Sequence, residues 1–188
     1  MPKKVETKMH FGKWHDIEVE DDVTTYVEYP NGATGTFITS TGDAPGSNRF
    51  EITLDKAKLV VEGDKLLMWE LETAEPEFSA ANKVPVAQPK CTYREVETDG
   101  RNEQHVGVLN AFAGAILRGE PLVASGEEGI NGLTLSNAMH LSAWTGKEVG
   151  LPFDDELFYE ELMKRVRTSR RKEDIAAVVA DLSGTYNA

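Results

Sequence analysis

The chain has 188 residues, close to the size of one domain, and 40% of them are apolar, enough to bury a core. Its 32 acidic residues outnumber its 20 basic ones, giving a net charge of −12. That balance argues against a general nucleic-acid partner and against docking on an anionic membrane, both of which need clustered cations. The one basic cluster, Lys164, Arg165, Arg167, Arg170, Arg171 and Lys172, reads as the solvated end of a helix, where cations suit the dipole. Cys91 is the only cysteine, so no internal disulfide can form, and a reducing cytoplasm is the expected compartment. The opening Met-Pro-Lys-Lys-Val has no apolar run behind its charges, as a secretory leader requires, and no stretch approaches the length of a membrane span.

In chain order, the first hundred residues read as strands. Val5 to Trp14 is extended. Val23, Val27 and Tyr29 lead into the turn Pro30-Asn31-Gly32, and Ala33 to Thr41 returns from it. Residues 42–48 are a Gly/Pro loop. Phe50, Ile52 and Leu54 then alternate with Glu51 and Thr53, the period of a half-buried strand. Tight turns at Asp55-Lys56 and Gly63-Asp64 join two further strands, 58–62 and 66–71, in an antiparallel meander. Residues 73–90 carry Pro76, Pro85 and Pro89 and are expected to be irregular, before a last strand from Cys91 to Glu97.

Helices follow. Val106, Leu109, Phe112, Ala113, Ile116 and Leu117 form a stripe that stops at Gly119. A second helix runs over 130–144 with apolar residues on two sides, which predicts that it is largely buried. Lys147 to Leu151 is a short edge strand. Asp154 caps a third helix with an acidic first turn and a basic last one. Residues 171–188 form a tail with one weak helix over 175–182. Strands first and helices after predict an α+β fold: one open, mostly antiparallel sheet with helices packed on one face, a single domain over 1–170 followed by the tail. The uncovered sheet face invites a partner, most simply a second copy of the chain, as a homodimer.

Several chemistries are missing from the sequence. No two glycines stand at G-x-G spacing, and no P-loop, H-E-x-x-H or G-x-S-x-G occurs. The four histidines and the lone cysteine lack zinc-site spacing. The acidic run Glu18, Glu20, Asp21, Asp22 lacks the glycine and spaced ligands of an EF-hand loop and reads as a solvated turn.

Three stretches carry a resemblance. They are residues 22–37 (DVTTYVEYPNGATGTF), residues 105–122 (HVGVLNAFAGAILRGEPL), and residues 126–144, from GEEGING to SNAMHLSAW, followed by Val149-Gly150-Leu151-Pro152. In order and spacing they resemble the C-terminal domain of the glucose–fructose oxidoreductase/inositol dehydrogenase/MocA (Gfo/Idh/MocA) family, over roughly residues 3–170. The resemblance implies a parent enzyme with an N-terminal Rossmann domain that binds NAD or NADP, a catalytic lysine in E-K-P, and an aspartate and histidine in D-x-x-x-H. It also implies a sugar or polyol substrate. None of the catalytic motifs occurs here: the residues four before His10, His15, His105 and His140 are Glu6, Phe11, Arg101 and Ser136. The chain is therefore expected to hold no cofactor, no metal and no catalytic residue of its own, and to supply the substrate wall and the dimer contact.

In that family the D-x-x-x-H pair opens its helix, so the helix carries the chain about 18 Å away and the first strand runs back. Trp14 and His15 are then expected at the active-site end, with the Pro30-Asn31-Gly32 turn remote and the loop from Thr41 to Arg49 returning. Trp14, His15, Thr41, Ser47, Asn48, Arg49 and His105 are the expected substrate-facing residues. Each has a plainer reading. Trp14 would pack a strand end, His15 would be a surface hydrogen bonder, Ser47 and Asn48 would cap a turn, Arg49 would pair with a carboxylate, and His105 would cap its helix. A free-standing carbohydrate-binding module and a purely dimerising domain remain alternatives. His140, beside Asn137 and Trp144, is expected to be hydrogen-bonded and buried rather than a ligand.

Overall fold

A computed structural model describes residues 1–101 and 103–170 of the chain; the expected weak helix over 175–182 lies outside the described residues. The strands are β1 (Lys4–Phe11), β2 (Glu20–Glu28), β3 (Thr34–Ser40), β4 (Arg49–Thr53), β5 (Ala57–Glu62), β6 (Lys65–Leu71), β7 (Cys91–Val96) and β8 (Val149–Gly150). The helices are α1 (Glu75–Ala81), α2 (Gln104–Arg118), α3 (Gly129–Thr145) and α4 (Asp155–Thr168), with a 3-10 turn at Gly126–Glu128. The α+β class and the antiparallel pairing expected from the sequence are borne out. The strands form two four-stranded ladders, β3-β2-β1-β8 and β4-β5-β6-β7, where the sequence suggested one. The loop between β3 and β4 contains Gly42, Pro45 and Gly46, residues that interrupt a ladder, Pro for want of an N–H.

The chain divides into two compact units. The first is Met1–Gly42 together with residues 128–170, and the second is Asp43–Glu127. In the first unit α3 lies on one face of β1 and β2. Val5, Val27, Ala138, Leu141 and Val149 form its core, with Tyr29, Leu135, Leu151, Phe153 and Phe158 packed against them. Ser142 accepts a hydrogen bond from the Thr7 N–H at 2.9 Å and donates one to the Lys147 carbonyl at 2.7 Å. Only the C-terminal half of α3 is buried. Ile130 and Leu133 are exposed, so the expectation of a largely buried helix holds for one half alone. The period marks both halves as apolar, but only residues from Leu135 onward have strands beneath them.

α4 begins as expected. Asp154 accepts hydrogen bonds from the Glu156 and Leu157 N–H groups, with acids in the first turn and Arg165 and Arg167 in the last. α2 ends on Gly119 in the left-handed conformation (φ 69°), as its sequence requires. The stretch 73–90 departs from expectation, since it contains α1, whose Pro76 stands in the first turn, where a missing N–H costs nothing. In the second unit the ladder runs in register from Phe50↔Val61 through Val61↔Leu66 to Leu66↔Val96.

Because Leu141 is 2% exposed among five core side chains, Leu141→Ala should lower stability by about 2–5 kcal/mol in urea unfolding. Leu133→Ala, on the exposed half of the same helix, should stay within about 0.5 kcal/mol of the parent.

Candidate functional site

The candidate site forms at one end of the first unit, where β1 stops at Phe11 and the chain loops back into β2. Gly12 has φ 65°, and a β-carbon there would collide with the Ile17 carbonyl, so the loop requires glycine at its first bend. The loop is held from beneath by Asp21. Its side chain is fully buried and accepts three successive backbone N–H groups, from Lys13 (3.0 Å), Trp14 (2.7 Å) and His15 (3.1 Å). Burial alone would push the Asp21 carboxyl up. The N–H groups of Trp14, Lys13 and His15, with the nearby His15 ring, outweigh burial and hold it below the usual carboxylate range. The expectation of a solvated turn over residues 18–22 is therefore corrected: Glu20 to Asp22 open β2, and Asp21 is the buried anchor of the loop.

Asp22 points the other way. The Lys13 ammonium (2.8 Å), the His10 ring (3.1 Å) and the Trp14 indole N–H (3.3 Å) surround it and hold its carboxyl down to about 2. Lys13 also sits 4.7 Å from the Trp14 ring centroid, a cation–π contact. The Trp14 ring also lies against the Gly42 backbone, so closely that a β-carbon at residue 42 would collide with the nearest ring atom. Trp14 is thus fixed in orientation while 51% of it stays exposed.

His15 is fixed as well. Its Nδ1 lies 3.0 Å from Thr41 Oγ1 and 3.7 Å from Asp21 Oδ2. Both partners sit at the same ring nitrogen. A nucleophile–base–acid relay needs them on opposite nitrogens, so this trio does not activate the threonine. It orients the imidazole. Thr41 is held in turn by the Asp21 carbonyl, through its backbone N–H at 3.0 Å.

A cavity of about 250 Å3 adjoins this cluster. Met9, Val23, Phe37 and Met139 supply apolar lining, and Glu20, Asp21, Ser40, Thr41, Ser136 and His140 supply polar lining. His140 Nδ1 donates to the Ser136 carbonyl at 2.8 Å, and its Nε2 lies 3.1 Å from Glu20 Oε2. The side chain is 20% exposed, so it is hydrogen-bonded but less enclosed than the sequence suggested.

Of the seven residues singled out from the sequence, Trp14, His15 and Thr41 are brought together. The others belong to the second unit. Ser47 and Asn48 are exposed in the loop before β4, Arg49 pairs with Glu62 (2.6 Å) and Glu51 (2.7 Å), and His105 lies exposed in the first turn of α2. Sequence reasoning passed over Asp21, Gly42 and the Glu20–His140 pair. The spacing of Asp21 from the loop's N–H groups, six to eight residues, left no periodic signal.

The second unit and the first share one property relevant to a nucleotide: every strand pair among the described residues is antiparallel. A dinucleotide site is built on a parallel β-α-β crossover with a glycine-rich turn at the helix N-terminus. Neither is formed among the described residues, and no two glycines in the sequence have the spacing, so the described residues do not build a dinucleotide site of that kind.

Residues 1–60 match the model of the GFO/IDH/MocA C-terminal domain. The resemblance seen in the sequence is thereby borne out over that stretch. Fold likeness extends further. WlbA dehydrogenase from Chromobacterium violaceum, solved with NADH and UDP-GlcNAcA, is 23% identical with a TM-score of 0.56, the match covering 81% of this chain and 41% of that one. UDP-N-acetylglucosamine 3-dehydrogenase GnnA from Acidithiobacillus ferrooxidans is 16% identical with a TM-score of 0.59, covering 75% and 42%. Levoglucosan dehydrogenase, solved with NADH and levoglucosan, is 18% identical with a TM-score of 0.60, covering 81% and 46%. The chain thus spans less than half the length of these solved enzymes. No curated protein matches it in sequence.

Two outcomes test the geometry of the loop. Gly42→Ala should displace the Trp14 ring, seen as a shift in tryptophan emission and a Tm lower by several degrees. Asp22 contributes stability that is complete above the ordinary aspartate value of 3.8 and is lost as pH falls toward its folded value of about 2, because the unfolded chain binds the proton first. The Tm difference between the parent and Asp22→Asn should accordingly be constant above about pH 5 and shrink between pH 3.8 and about 2 in a calorimetric pH series.

Proposed function

We propose that this chain is the substrate-side half of a NAD(P)-dependent sugar or polyol oxidoreductase of the GFO/IDH/MocA family, with the nucleotide carried on a Rossmann domain outside this sequence. The observation that carries the reading is the convergence of Trp14, His15 and Thr41 at the end of the first sheet that faces away from the Pro30-Asn31-Gly32 turn, beside an apolar-walled cavity. Trp14 offers a fixed, half-exposed aromatic face for the C–H side of a sugar ring. Thr41 Oγ1 and the His15 ring, both pinned by Asp21, offer hydroxyl-recognising groups at low entropic cost. Ser47, Asn48, Arg49 and His105, in the second unit, are proposed as substrate-facing residues in their own right. Hydride transfer belongs to the cofactor when it is bound, and this half orients the substrate. The second partner is another copy of the chain, met through a sheet face, in the cytoplasm that the single exposed Cys91 suits.

The test is a pair of titrations. NADH and NADPH added to the chain should show no saturable change in nicotinamide fluorescence; saturable micromolar binding would mean that this half holds the nucleotide itself. Saturation-transfer NMR with myo-inositol and D-glucose should show contact that Thr41→Ala and His15→Ala each weaken about tenfold, the worth of one good hydrogen bond. Transfer that both variants leave intact would remove the cluster from the substrate wall.

A further inference from the structure

Among the described residues, the cavity between α3 and the strands β1, β2 and β3 is lined without a lysine or an arginine. Its one imidazole, His140, is committed at both nitrogens. Nδ1 donates to the Ser136 carbonyl at 2.8 Å, and Nε2 faces Glu20 Oε2 at 3.1 Å. One proton lies between that nitrogen and that oxygen. Whichever of the two carries it, the ring has no N–H left for a ligand. The Trp144 ring packs against the imidazole, 5.3 Å between centroids and tilted by 57°, and limits its rotation.

Glu20 is positioned by the same bond. It is the first residue of β2, and its Oε2 is tied across to α3. Its other oxygen, Oε1, has no hydrogen-bond partner among the described residues, and 34% of the side chain stays exposed. Beside it the Asp21 carboxylate is ionised, with its oxygens taken by three loop N–H groups. The Ser40 and Thr41 hydroxyls both donate to the Asp21 carbonyl, at 3.2 and 3.4 Å, so toward the cavity they present lone pairs. The polar lining therefore accepts hydrogen bonds and carries negative charge. It suits a ligand rich in O–H donors. It repels one that brings a carboxylate, because charges about 4 Å apart in a partly enclosed site feel an effective dielectric of about 20 rather than 80. The cavity, of about 250 Å3, lies below the roughly 300–1,000 Å3 of pockets for drug-sized ligands, which suits a single sugar ring.

We infer that Glu20, positioned by His140, is the specificity-determining acceptor of this cavity, so that it takes an uncharged polyhydroxyl ring and turns away uronates. The inference rests on the sugar or polyol reading above and narrows it to neutral substrates.

Saturation-transfer NMR on the full chain, at fixed ionic strength, compares D-glucose and myo-inositol with D-glucuronate, which replaces one hydroxymethyl of glucose by a carboxylate. The neutral ligands should bind at least about tenfold more tightly. Glu20→Gln keeps the size and one acceptor oxygen but removes the charge, and should bring glucose and glucuronate within about threefold of each other. His140→Ala releases Glu20 and should weaken glucose about tenfold, the worth of one good hydrogen bond, while glucuronate stays the weaker ligand. Glu6→Gln removes a charge of the same sign from the opposite face of β1, away from Met9, and should leave the ratio unchanged. The Tm of each variant shows that it is folded. Glucuronate binding as tightly as glucose, a ratio that Glu20→Gln leaves untouched, or one that Glu6→Gln moves as far would overturn the inference and leave the sugar reading standing. Contact with none of the three ligands would overturn both.

Discussion

The first unit depends on one hydroxyl. β8 pairs only with Lys4 and Val5, so the outer edge of β1 runs out of strand two residues later. The Thr7 N–H, on that edge, is buried and meets the Ser142 Oγ instead of another strand. A buried N–H left unpaired would cost about 1–3 kcal/mol. The same hydroxyl donates to the Lys147 carbonyl, and the Ser142 carbonyl accepts from the Gly146 and Lys147 N–H groups, which turns the end of α3 toward β8. One residue thus completes the edge of a sheet and ends a helix. With Ser142 fixed on β1, Ala138 and Leu141 meet Val5 and Val27, while Ser136, Met139 and His140 reach the start of β2 and line the cavity.

Asp21 plays the corresponding part at the other end of the sheet. An ionised carboxylate accepting three N–H groups is a compact solution for a loop that has no ladder of its own. Because the same two oxygens hold residues 13, 14 and 15, the aromatic ring and the imidazole are presented as a pair rather than as independent side chains. Trp14 then touches both the Lys13 ammonium and Gly42, and His15 is tied to Thr41, so the loop and the end of β3 form one surface. Such pre-organisation holds the two side chains in place before any partner arrives.

Much of this was legible in the sequence, for identifiable reasons. Alternation in Phe50, Ile52 and Leu54, the turn at Asn31-Gly32, the stop at Gly119 and the cap at Asp154 are local signals, and each appears where local physics puts it. Counting strand directions from Val5 onward also brought Trp14, His15 and Thr41 to one end. What was illegible is non-local. The acidic run at 18–22 gives no sign that Asp21 is covered, because what covers it is the backbone of a loop folded back upon it. Gly42 reads as any loop glycine until the Trp14 ring lies on it. Three prolines over 73–90 concealed α1, because Pro76 falls at the one helical turn that accepts it. The division into two ladders is also a pairing outcome, which the period of no single strand encodes.

The bond between Thr7 and Ser142 joins residues 135 apart in the chain. The second unit, by contrast, is one continuous stretch, Asp43–Glu127, whose ladder closes through neighbouring hairpins. Synthesis therefore delivers the two in an order opposite to their numbering. The second unit can complete its sheet while the ribosome is still making α3, whereas β1, β2 and β3 must wait, with Val5 and Val27 open to water, until residues 138 to 149 have emerged. Until then the hairpin that carries the loop of Trp14 and His15 stands without the helix that gives it a core, and the surface made by that loop matures after the second unit.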